Sequence, residues 1–145
     1  MERSERGVAV VLDTNVVLDW LVFEDPAVQP LADALADGRL GWIATEAMLD
    51  ELRHVLTRPG LERWSERCAR AVESAAAKVR TVEMPACERA IPVCRDASDQ
   101  KFIDLALAWN APWLLTRDKE LLRLARAARA AGTTVCPPTS WRAAG

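Results

Sequence analysis

Short, continuously apolar runs alternate along the chain with stretches in which apolar residues recur every three or four positions. The run Val8-Ala9-Val10-Val11-Leu12 is apolar throughout and rich in β-branched residues, which predicts a strand buried on both faces. Residues 15–22 then read as helix, and the chain breaks at Glu24-Asp25-Pro26. Residues 27–36 predict a short helix ended by Asp37-Gly38, and residues 41–44 a second strand. Thr45 is a good N-cap for a helix reaching about Leu56, which Pro59-Gly60 stops. Residues 61–79 predict a long amphipathic helix, or two in succession, with Leu61, Trp64, Cys68, Ala71, Ala75 and Val79 near one face. Residues 81–84 are a further strand candidate before Pro85. Ser98 is placed to cap a helix running to about Trp109. Residues 113–116 predict a strand, residues 119–130 a helix ended by Gly132, and residues 133–136 a last strand.

Alternation of this kind predicts one α/β domain with a mainly parallel central sheet, its core at about residues 8–136 and a tail at 137–145. In open sheets of that class, ligands bind beyond the carboxyl ends of the strands. Polar residues just past the strands are therefore the first place to look for chemistry. Asp13 directly follows the first strand, and Asp118 comes shortly after the strand at 113–116. For either alone, helix capping explains an Asp there equally well.

Helical phase separates the remaining acids. At about 100° per residue, Phe102, Ile103, Leu105, Ala106 and Trp109 form one apolar arc, and Asp99 falls inside it while Asp104 lies opposite. An unpaired carboxylate aimed inward is costly, so core packing does not account for Asp99. On the preceding helix, Met48, Leu49, Leu52, Val55 and Leu56 make the apolar stripe; Glu51 borders it and Asp50 lies across the helix. A rim acid paired with a surface Arg is an equal alternative for Glu51. Several carboxylates converging on one crevice repel one another unless a cation sits among them. Oxygen ligands select Mg²⁺ or Mn²⁺, ions suited to phosphoryl chemistry.

Composition narrows the partners. Half of the 145 residues are hydrophobic and 28% charged, as in an ordinary globular chain, and the net charge of −2 does not advertise a nucleic-acid binder, so any such binding falls to local patches. The four cysteines (Cys68, Cys87, Cys94, Cys136) include no C-x-x-C pair and His54 is the lone histidine, so a zinc site has little support. No signal peptide or membrane-length apolar run is visible, and a cytoplasmic protein with reduced thiols is expected. Neither a Gly-x-x-x-x-Gly-Lys loop nor Gly-x-Gly-x-x-Gly occurs, which argues against a nucleotide cofactor.

The motifs resemble those of PIN domains. Leu12-Asp13-Thr14-Asn15-Val16 is similar to their N-terminal signature, and Glu51 in Asp50-Glu51-Leu52 to their helical glutamate. Arg95-Asp96-Ala97-Ser98-Asp99-Gln100-Lys101-Phe102 resembles their third acidic motif, and Leu114-Leu115-Thr116-Arg117-Asp118 their closing T-x-D. The resemblance implies a three-layer α/β/α sandwich and an endoribonuclease dependent on Mg²⁺ or Mn²⁺. By position, Asp13, Glu51, Asp99 and Asp118 are its expected metal-binding and catalytic residues. Thr14, Asn15 and Thr116 are expected to orient carboxylates or water, and Asp96 to be an added acid near the metal or a loop-turn residue. The subgroup is similar to the VapC toxins of toxin–antitoxin systems, which implies a small antitoxin partner. Many VapC toxins carry Asn where this chain has Asp118, a form also found in PIN proteins outside that group.

Arg53, Arg58, Arg117, Lys119, Arg123 and Arg126 are the expected RNA contacts, although Arg-rich helix faces are commonly just solvated. His54 is expected at the surface. Trp64 and its helix are open to core packing, homodimer formation or an antitoxin helix. Among other enzymes, haloacid-dehalogenase-like phosphatases need a second Asp two residues after the first, where this chain has Asn15. A PIN fold kept as a silent RNA-binding or regulatory module is the reading from another class.

Overall fold

The computed structural model describes residues 7–85 and 92–141. Its centre is strand β1 (Val8–Leu12), whose last three residues are almost wholly buried, as their unbroken apolar run requires. Beside it lie β2 (Leu40–Ala44), β3 (Arg80–Thr81), β4 (Trp113–Leu115) and β5 (Thr134–Cys136), in the order β3-β2-β1-β4-β5 and all parallel. Val10 pairs with Trp42 on one side and Trp113 on the other.

Helices α1 (Thr14–Leu21), α2 (Gln29–Ala36), α3 (Glu46–Leu56) and α4 (Ser65–Lys78) form the β1-to-β2 and β2-to-β3 crossovers. Helices α5 (Gln100–Ala108), α6 (Lys119–Leu122) and α7 (Ala125–Ala130) lead back across β1 to β4 and on to β5. Parallel crossovers are right-handed, so reversing direction at β1 puts α1–α4 on one face and α5–α7 on the other. The contacts agree: α1 packs on α3 and α4, whereas α5 packs on β1 and β4. This is the expected α/β/α sandwich. The strand order reverses between β1 and β4, where the sheet opens a crevice at its carboxyl end.

Several predicted boundaries shift. The strand expected at 81–84 is only Arg80–Thr81, extended by the Val82 amide bonding the Ala44 carbonyl at 2.9 Å. β2 ends at Ala44 because Thr45 turns to cap α3, so nothing is left to pair beyond Val82. The stretch at 61–79 begins with a 3₁₀ turn at Glu62–Trp64, and Trp64 packs edge-on against Phe23 of the same chain, ring centroids 5.2 Å apart. Ser98 is not a helix cap: Asp96 caps a 3₁₀ turn at Ala97–Asp99, and α5 starts at Gln100. The helix expected at 119–130 is two, parted at Arg123-Leu124, with no Gly or Pro to mark the break. It does end as expected at Gly132, whose φ of 100° suits glycine alone among common residues. Among the described residues no helix is long and apolar enough to cross a membrane.

Candidate metal centre

Three helices begin at the crevice, and each begins at an aspartate. Asp13 is the N-cap of α1 and accepts the Val16 amide through Oδ1 at 2.9 Å. Asp118 is the N-cap of α6 and accepts the Glu120 amide at 2.8 Å. Capping is therefore a real duty of both. Asp99 occupies the same position before α5 but makes no capping bond, and its Oδ2 is buried without a partner. Its place in the apolar arc is thus not explained by helix capping, which would require such a bond.

Thr116 ties the two strand-end acids together. Wholly buried after β4, its hydroxyl donates to Asp13 Oδ2 and accepts the Asp118 amide at 2.9 Å. Burial raises the Asp13 carboxyl above its ordinary value, against the lowering effect of the Thr116 and Val16 bonds, and Asp118 adds to the rise. Asp99 is pushed up to about 7 by burial, then by hydrogen bonding and repulsion from Asp118, and by the charges of Asp96 and Asp13. Asp96 lies exposed on the turn, with Ser98 Oγ and N donating to its Oδ1 at 2.6 and 3.0 Å, and these bonds hold its carboxyl low.

Carboxylate oxygens of Asp96, Asp99 and Asp118 all lie within 4.8 Å of one another. Three oxygen donors with an orphaned buried Oδ2 among them fit a hard divalent cation. Asp13 stands next to this group: the Asp118 charge raises the Asp13 carboxyl, and the Asp13 charge raises that of Asp99. Glu51 is drawn elsewhere: its Oε2 takes the Thr14 hydroxyl at 2.6 Å and its Oε1 lies 2.7 Å from Lys101 Nζ.

The other expected site residues are spread around this centre. Asn15 is exposed at the start of α1, and His54 is exposed on α3. Arg53 is paired with Asp50 at 2.7 Å, Arg123 with Glu120 at 3.2 Å, and Arg117 with Asp19 at 2.9 Å. Arg58, Lys119 and Arg126 are exposed. Sequence reasoning missed Lys101, Asp19 and Gln100. Asp19 is buried on α1 between Leu18 and Trp20, so the acid-in-an-apolar-stripe signal used for Asp99 was there to be read. Gln100 bonds the Cys94 amide at 2.6 Å, the Pro92 carbonyl at 3.0 Å and Asp104 at 2.9 Å, holding the segment before the Asp96 turn.

An all-parallel α/β/α sandwich with an acidic cluster at its strand-order reversal defines a class of α/β proteins whose sites lie at the carboxyl ends of the strands. Within that class the chain belongs to the PIN domain family, whose model matches residues 9–120 and so takes in Asp13, Glu51, Asp99 and Asp118. No curated protein matches the chain. PIN domains are generally nucleases that use a divalent metal, and the three-aspartate cluster is compatible with that use.

Proposed function

We propose that this chain is an endoribonuclease that hydrolyses RNA phosphodiester bonds with Mg²⁺ or Mn²⁺. The observation that carries the reading is Asp99, a carboxylate whose buried Oδ2 has no partner, set against Asp118 and Asp96. Asp99 and Asp118 would hold the ion, with Asp96 completing the set from the solvent side and Asp13 adding charge beside them. A bound divalent ion supplies Lewis acidity that makes a water nucleophilic and offsets charge growing on the phosphate. The chain's own part is preorganisation. Thr116 and the Val16 amide hold Asp13, and the Glu120 amide holds Asp118, so the negative field stands in place before substrate arrives. Arg53, Arg117 and Arg123 are paired with acids, so Lys119, Arg126 and Arg58, all exposed, are better placed to meet the RNA backbone.

We read its cellular role as the toxin of a type II toxin–antitoxin pair, a cytoplasmic ribonuclease silenced by a small protein. The support is the VapC-like run of motifs. The chemistry is tested by cleavage of a mixed structured and single-stranded RNA panel. Wild type with Mg²⁺ or Mn²⁺ is expected to cut, and both EDTA and Asp99→Asn to abolish cutting. Cleavage by purified Asp99→Asn at the wild-type rate would refute the site. For the toxin role, induced wild type is expected to arrest growth and induced Asp99→Asn to leave it normal; equal growth refutes that role.

A further inference from the structure

The ion pair between Glu51 and Lys101 bridges the crevice, joining α3 on one face of the sheet to α5 on the other. It is not a loose surface contact, since the Lys101 and Glu51 side chains are only 27% and 31% exposed. Glu51 has both carboxylate oxygens engaged inside the chain, one by Lys101 Nζ at 2.7 Å and one by Thr14 Oγ1 at 2.6 Å. Lys101 Nζ also donates to the Ser98 carbonyl, in the turn that carries Asp96 and Asp99, and it lies 4.9 Å from the Phe102 ring centroid. Its charge acts on Asp96, which puts the ammonium at the rim of the three-aspartate cluster.

We propose that Lys101 is a working part of this centre: it occupies Glu51, so that the chain binds a single divalent ion at Asp96, Asp99 and Asp118, and it binds a phosphate oxygen of the RNA. The inference rests on the nuclease reading above. A second ion at Glu51 must displace a cation that is already paired and partly desolvated, and removing either partner of such a pair is costly. An ammonium has three donors; Glu51 and Ser98 take two, and one is left for substrate. Lysine suits that duty as a compact charge that binds phosphate without demanding a planar fork. Lys101 thus stands where a second metal ion would otherwise be needed to neutralise Glu51 and the incoming phosphate.

Two measurements that need no turnover test this. Calorimetric Mn²⁺ titration is expected to give one ion per chain in wild type, and Glu51→Gln is expected to keep that ion with affinity lowered by no more than about tenfold. Binding of an uncleavable 2′-O-methyl RNA is then compared between Glu51→Gln and Glu51→Gln/Lys101→Met, so that no unpaired carboxylate repels the RNA. Losing Lys101 is expected to weaken binding about tenfold and to flatten the plot of log K against log salt by about 0.7, one single-strand phosphate contact. Lys101→Arg in the same background is expected to restore the slope, and melting curves check that each variant folds. Two ions in wild type, loss of the ion in Glu51→Gln, or an unchanged salt slope without Lys101 would overturn the proposal. A wild type that cleaves RNA yet binds two ions sinks the Lys101 assignment alone. One ion and a Lys101-dependent slope without any cleavage sink the nuclease reading alone.

Discussion

Replacing Asp99 with asparagine should stabilise the metal-free protein at pH 8 while removing its response to metal. The folded-state value of Asp99 is about 7 against an ordinary 3.8, so folding takes up a proton between those limits. The stability linked to this group is full below about 3.8 and is lost as the pH rises through about 7. At pH 8 the wild-type carboxylate is ionised beside Asp118, Asp96 and Asp13, with Oδ2 buried and unpartnered. The gap between the two values caps the cost at about 4 kcal/mol, and because Asp99 is only half-buried, solvent screening reduces it to about 1–2 kcal/mol. Asparagine is nearly the same size and carries no charge, so Asp99→Asn recovers that amount. For a chain of this length, that is a rise in Tm of roughly 2–8 °C at pH 8 in EDTA. At pH 4 to 4.5 the folded wild-type group is already protonated and the difference is smaller, and it vanishes below about 3.8, where the unfolded group is protonated too. Adding Mg²⁺ or Mn²⁺ at ten times its Kd should stabilise wild type by about 1.4 kcal/mol and the variant by far less. The assay is differential scanning fluorimetry at pH 4.5 and pH 8, with EDTA or with metal. An Asp99→Asn protein less stable than wild type in EDTA at pH 8, or equally responsive to metal, would show that Asp99 is not the strained member of a cation site.

Three further outcomes are expected. Thr116→Val leaves Asp13 Oδ2 and the Asp118 amide without their shared hydroxyl and should cost about 2–3 kcal/mol in urea unfolding; Thr116→Ser should recover most of it, and equal losses would point to packing instead. Arg117→Ala strands the carboxylate of Asp19, whose side chain is 8% exposed, at about 1–2 kcal/mol, and that loss should largely vanish in an Asp19→Asn background. Strictly additive effects in this double-mutant cycle would mean the pair is not coupled. Joint Lys119→Ala and Arg126→Ala should weaken RNA binding and flatten its salt slope by up to about 1.4, two single-strand contacts, whereas an unchanged slope would remove both from the RNA path.

Much of this arrangement can be read without coordinates because it rests on local rules. Val8–Leu12 is a buried strand since each of its side chains is apolar, and Asp99 stands out because one helical phase decides which way it points. The same rules leave Asp13 and Asp118 ambiguous, and the fold shows why: both do cap helices while standing at the cluster. A carboxylate serving two purposes looks, in sequence, like one serving either.

Other features leave no periodic trace. Lys101 meets Glu51 across fifty positions, and Arg117 meets Asp19 across ninety-eight. The shortness of β3 follows from where β2 ends, and the break at Arg123-Leu124 carries no helix breaker. Sequence alone determined the alternating elements, the buried central strand and the acids set at strand ends, because periodicity and capping act within a few residues. Tertiary structure alone decided that Asp96 joins Asp99 and Asp118 while Glu51 is taken by Lys101, because a charge chooses its partner by distance in space, and that distance exists only after the sheet has brought separate elements to one edge.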